Sequence, residues 1–139
     1  MIILSVNYLA VLVASVVVMG IGAFWYSSAA FGKQWAAMMG WNEAAMKDKM
    51  KSAKGSSYAI AFVGNLVMAF VIAQLIANIG TTTVADALML AFWVWLGFIA
   101  TAALNTVLWE GKPWHFYGIN TAYQLVSIVV MSLILTMWV

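Results

Sequence analysis

Residues 8–31 read YLAVLVASVVVMGIGAFWYSSAAF, without one charged side chain. Wound as an α-helix at about 1.5 Å per residue, such a run is long enough to cross the roughly 30 Å hydrocarbon core of a bilayer. The valines do not favour a strand here. In lipid no water satisfies an unpaired backbone, and a helix bonds its own amides internally. A cleaved leader is the competing reading, with Ser28, Ala29 and Ala30 as small residues near a cleavage point. However, no lysine precedes the run, and it exceeds the apolar stretch of about 7–15 residues typical of leaders. A retained helix is expected.

Three more runs behave alike, giving expected spans at about 8–31, 58–79, 87–109 and 116–138. The composition agrees. Hydrophobic residues make up 66% of the 139-residue chain and charged residues only 7%, against about 25% charged in soluble domains. So few charges cannot cover a water-exposed surface. The expected fold is therefore all-α: one integral membrane domain over residues 1–139, built as a four-helix transmembrane bundle. There is no cysteine, and His115 is the one histidine. A thiolate metal site and a disulfide framework are excluded, and no metal site is expected.

Lysine placement sets the expected orientation. Lys33, Lys47, Lys49, Lys51 and Lys54 lie between the first and second spans, and Lys112 lies between the third and fourth. The connection between the second and third spans has none. Positively charged loops stay in the cytoplasm, so both termini are expected outside. Trp25, Trp35, Trp109, Trp114 and Trp138 fall near span ends, where indole rings prefer the interface.

The string Gly32-Lys33-Gln34-Trp35 returns as Gly111-Lys112-Pro113-Trp114, about half the chain later. Each copy follows the lysine-side end of an odd-numbered span. Tandem duplication of a two-helix hairpin would produce this. So would convergence, because glycine ends helices, lysine snorkels and tryptophan anchors. Residues 42–54, between the first two spans, read as a short amphipathic helix. Asn42 caps it, Glu43 sits in its first turn, and Met39, Met46, Met50 and Ala53 share one face. Lys47, Lys51 and Lys54, flanked by Trp35 and Trp114, suit a helix on an anionic membrane surface.

In lipid, helices meet where small residues let them approach. The expected inward faces are Ala10, Ala14 and Gly22 on the first span, and Ser57, Ala61, Asn65, Ala69, Ala73 and Ala77 on the second. Gly97, Thr101 and Asn105 serve the third, and Gly118 and Ala122 the fourth. Bulky Phe92, Trp93, Val94 and Trp95 surround the third span so fully that some face lipid or another subunit, which points to a homo-oligomer.

The intramembrane polar groups gather toward the lysine side. By helix rise, Asn65 lies about 10 Å inside its span, Asn105 and Asn120 about 6 Å, and Gln124 about 12 Å. Tyr123 and Ser27 lie near them in the pattern. Two roles are open. These groups can line a cavity, with Glu110, Lys112 and His115 at its mouth, or they can hydrogen-bond between helices. No span carries a charge at its centre, which argues against a conventional proton-coupled transporter. Catalytic residues are not expected: there is no second histidine, paired carboxylate or phosphate loop, so the chain reads as a non-enzyme without a cofactor. No basic patch outside the membrane-adjacent loop suggests nucleic acid.

The ordered motifs Asn7-Tyr8, Phe24-Trp25-Tyr26-Ser27, Phe31-Gly32-Lys33-x-Trp35, Trp109-Glu110-Gly111-Lys112-Pro113-Trp114 and Ile119-Asn120-x-x-Tyr123-Gln124-Leu125 resemble domain-of-unknown-function family 1761. The resemblance covers nearly the whole chain. It implies a small four-span protein of a prokaryotic cell membrane and brings no catalytic residue with it. In the family pattern a proline often follows the Trp-Tyr-Ser, where this chain has Ser28. Arginine is common where Lys112 stands, and lysine keeps the charge but not the bidentate geometry. The expected function is that of a channel or transporter component with a polar cavity in its cytoplasmic half; the alternative is a non-catalytic structural membrane protein that binds lipid or a protein partner.

Overall fold

The computed structural model describes residues 6–27, 30–38 and 55–138, with side chains omitted at residues 36 and 55–57. The expected surface helix at 42–54, with Lys47, Lys51 and Lys54, lies outside the described residues. Among those described, all regular structure is helical. Four helices are long and apolar enough to cross a membrane: α1 (Tyr8–Trp25), Tyr58–Ile79 within α3 (Gly55–Ile79), α4 (Val84–Leu108) and α5 (Trp114–Met137). Between α1 and α3 lies the short α2 (Gly32–Met38). The chain is thus a helical, multi-pass membrane protein.

Local chemistry sets the helix ends. The Asn7 side chain accepts from the Ala10 amide at 3.2 Å, and that of Thr83 from the Asp86 amide at 3.1 Å. These bonds satisfy amides that have no partner in a first helical turn. Gly80 and Gly111 adopt φ of +83° and +73°. In that left-handed region glycine ends a helix at little cost, and the Thr81 amide closes the turn on Ile76 O at 3.3 Å. The first span, expected to reach Phe31, stops as a helix at Trp25. From there the chain folds back: the Phe31 amide bonds Trp25 O at 3.0 Å and the Gly32 amide bonds Ser27 O at 2.8 Å.

Helix α5 is the hub, packing on α1, α3 and α4, while α1 also packs on α3. Although α3 and α4 are joined by only the short link from Gly80 to Thr83, their backbones hardly approach each other. The core is one-sided. Ala10, Ala14 and Val18 of α1 meet Ala69, Ile72 and Ala73 of α3, Ala91 of α4, and Ile128, Met131 and Leu135 of α5. Most lie in the half of the bundle that carries the termini, and Val18 lies just past the middle of α1. Ala69 and Ala73 match the expected small-residue stripe of α3, whereas Ala61 lies at the surface; the Ser57 side chain is outside the described set.

Helix α4 corrects the expectation. Gly97, Thr101 and Asn105 are exposed, not inward. The face toward α5 instead carries buried Ala87 and Ala91, half-buried Trp95 and buried Ala100. Its steps are four, four and five residues. The longer step falls in a π-helical turn, Trp95–Ala100. One extra residue per turn rotates everything after it, so a constant period of 3.6 picks the wrong face.

Ser132 is fully buried on α5, and its Oγ has no hydrogen-bond partner. The buried Ser127 and Ser15 each donate to the carbonyl four residues back, at 2.8 Å. A buried hydroxyl left unpaired is unfavourable. Ser132→Ala is therefore expected to leave stability unchanged or to raise it by about 1 kcal/mol. Thermal unfolding in a mild detergent measures this, and a clear loss would mean that the hydroxyl has a partner.

Candidate functional site: a lateral cleft on the open side of the bundle

The lysine half is closed on one side and open on the other. On the closed side, α1 meets α5 through aromatic rings. Trp25 Nε1 donates to Ile119 O at 3.1 Å, Tyr26 Oη to Asn120 Oδ1 at 2.6 Å, and Tyr123 Oη to Val18 O at 3.3 Å. The rings also touch: Tyr26 lies edge-on to both Tyr123 and Trp35, each with centroids 5.4 Å apart. Gly22 makes room for this, since a β-carbon there would lie 2.7 Å from the Tyr123 hydroxyl. Across the hub, Trp95 Nε1 donates to Thr121 O at 2.8 Å, and Tyr117 Oη to Ala100 O at 2.8 Å. Tyrosine and tryptophan thus make most of the side-chain hydrogen bonds between helices in this half.

The amides behave differently. Asn65 on α3, Asn105 on α4 and Gln124 on α5 form no side-chain hydrogen bond among the described residues. Asn120 bonds Tyr26 alone. The interhelical bonding role open to these groups is therefore filled by Asn120 and by the aromatic donors. By position alone, Trp25 reads as an interface anchor and Trp95 as bulk, and nothing in the sequence pattern singles out Tyr117. Their ring N–H and O–H groups are the signal that identifies them, because a buried indole or phenol finds an acceptor.

On the open side, α3 and α4 stand apart over α5 and leave a cleft of about 370 Å³. Its walls are Met68 of α3 and Phe98, Ile99, Ala102 and Ala103 of α4; Asn120, Thr121 and Gln124 of α5 are its polar part. Phe98, 73% exposed, stands at the outer edge, so the cleft opens sideways at the surface of the bundle.

The other expected site residues are distributed around this cleft without lining it. Asn65 is half-buried and Asn105 exposed. Tyr123 belongs to the aromatic cluster, and Ser27 Oγ turns back to Phe24 O at 2.6 Å. The expected mouth lies apart from the cleft. His115 Nε2 sits 2.9 Å from Gln34 Oε1 and ties the start of α5 to α2. Lys112 Nζ stands 5.6 Å from the Phe116 ring centre, and Glu110 is exposed just beyond α4. Trp114 is exposed and edge-on to Tyr117, whereas Trp35 reaches the Tyr26 ring.

The repeated string also gains two meanings. Gly111 supplies a positive φ, whereas Gly32 is buried where a β-carbon would overlap the Tyr26 and Ser27 carbonyls. The packing is similarly uneven: α1 packs on α5, but α4 and α3 form no comparable contact.

The family model described as "Protein of unknown function (DUF1761)" matches residues 9–136. The chain belongs to this family. The match covers all four long helices and the cleft between them. Comparison with curated proteins and with solved structures gives no match.

Proposed function

We propose that this protein is a non-catalytic, membrane-embedded binding protein, and that the lateral cleft takes an amphiphilic molecule from the surrounding lipid. One observation carries the reading: the cleft joins apolar walls to Gln124, whose side-chain amide has no hydrogen-bond partner among the described residues, and to Asn120, whose single bond to Tyr26 leaves its Nδ2 unused. Intramembrane amides unused by the fold are costly unless something pairs with them. Small-molecule sites characteristically combine apolar walls with a few polar groups.

The alternative, a channel or transporter component, draws on the same cleft. It needs a path through the terminal half, which is filled by Ala14, Ile72, Ile128 and Met131. Opening that half would require the helices to move, or a second chain to face the exposed Gly97, Thr101 and Asn105. We therefore favour binding. The lysine pattern supports a cell-membrane orientation with both termini outside.

Ala103→Trp tests the reading by filling the cleft from the α4 wall. Native mass spectrometry of protein extracted gently from membranes is expected to find a small lipophile on the wild type and none on the variant. Identical lipid content in both would overturn the proposal. Reaction of Gln124→Cys with a water-soluble thiol reagent, in oriented vesicles, would move the balance to transport.

A further inference from the structure

We infer that the ligand of this cleft is a neutral, lipid-soluble carbonyl compound of the quinone class; this rests on the binding reading above. The lining carries no charged side chain. An ionised fatty acid or phosphate buried there would lack a counter-charge and be strongly disfavoured. The ligand's polar group is therefore uncharged.

Hydrogen-bond chemistry narrows it further. The 2.6 Å separation between Tyr26 Oη and the Asn120 side chain is that of an O–H···O bond, shorter than the usual N–H···O distance. It fixes Oδ1 toward Tyr26 and leaves Asn120 with its Nδ2 donors. Thr121 already donates its hydroxyl to Tyr117 O at 2.7 Å. Gln124 stands four residues beyond Asn120, about 6 Å along the same helix face, and its side chain has both an Nε2 donor and an Oε1 acceptor without a partner among the described residues. A ligand with two acceptors pairs with both amide donors at once. Para carbonyls across one ring present acceptors at a comparable spacing.

Depth excludes the commonest alternative. Asn120 lies about 9 Å, and Gln124 about 15 Å, from the start of a helix roughly 36 Å long. Gln124 is thus close to the bilayer centre. Phospholipid ester carbonyls stay at the edge of the hydrocarbon core, about 15 Å from its middle. The ligand must carry its carbonyls within the hydrocarbon, as a lipid quinone does. Phe98, Ile99 and Met68 offer flat and flexible apolar surface to a ring. The sideways opening lets an apolar tail remain in lipid.

The test uses the full chain in phosphatidylcholine nanodiscs, titrated with a short-tailed quinone labelled with carbon-13 at its carbonyls. Infrared difference spectra should show a carbonyl band that is lowered in frequency and saturates at one quinone per chain. Gln124→Leu removes a side chain that the fold does not bond, so the protein should remain folded while affinity falls about tenfold. An alkylbenzene with the same tail should compete only weakly. If the alkylbenzene displaces the quinone equally well, or if Gln124→Leu leaves the band unchanged, the carbonyl inference fails and the cleft reading stands. If neither compound saturates and Ala103→Trp changes nothing, both fail.

Discussion

Gly32→Ala should destabilise the protein by about 1–3 kcal/mol, the range for forcing an atom into packed structure. The added β-carbon would lie 2.6 Å from Ser27 O and closer still to Tyr26 O. Both obstacles are backbone, so no side-chain rotation can relieve the overlap. The elbow after α1 would have to open, and with it the Tyr26–Trp35 contact. Gly22→Ala is the instructive comparison. There the obstacle is the hydroxyl of Tyr123, which can swing away at the cost of its bond to Val18 O. Thermal unfolding in detergent should rank Gly32→Ala clearly below Gly22→Ala. The reverse order would show that the elbow is not held by close backbone approach.

Met131→Ala should cost about 2 kcal/mol, the low end for removing a large buried side chain. The low end applies because a helix separated from its neighbours in lipid still keeps methionine in an apolar medium. The lost quantity is packing, not transfer from water. Met131 is fully buried where α1, α3 and α5 meet, beside Ile128 and Val18. Met89, 61% exposed on α4, is the matched control. Met89→Ala should change stability little. Equal losses at both positions would mean that the one-sided core does not dominate the fold.

These effects depend on features that the sequence reveals unevenly. The four helices were legible from hydropathy alone, because lipid leaves so few alternatives for an apolar run. The small faces of α1 and α3 were legible where alanines recur at helical spacing, as at Ala10, Ala14, Ala69 and Ala73. The inward face of α4 was not, because its π-helical turn changes the period between Trp95 and Ala100. Asn120 and Gln124 could be picked out as intramembrane amides, and both line the cleft. That Asn65 and Asn105 lie away from it depends on how far α3 and α4 separate, a distance with no local sequence signal. The Trp25 donor was hidden for another reason: near a span end, a tryptophan that anchors and one that bonds a neighbouring carbonyl look the same.

The hub position of α5 also has a consequence for biosynthesis. It is the last of the four helices to be synthesised, yet α4 depends on it for most of its packing. The α1–α3 pair can dock as soon as both are inserted. Helix α4, with Thr101 and Asn105 in its apolar run, must wait in the bilayer with little to lean on. A chain cut before Trp114 should therefore retain a paired hairpin and an orphaned third span, the form that membrane quality-control proteases recognise. The bundle's completion is timed to its final segment, and premature termination should be read by the cell as a failed assembly, not as a smaller working protein.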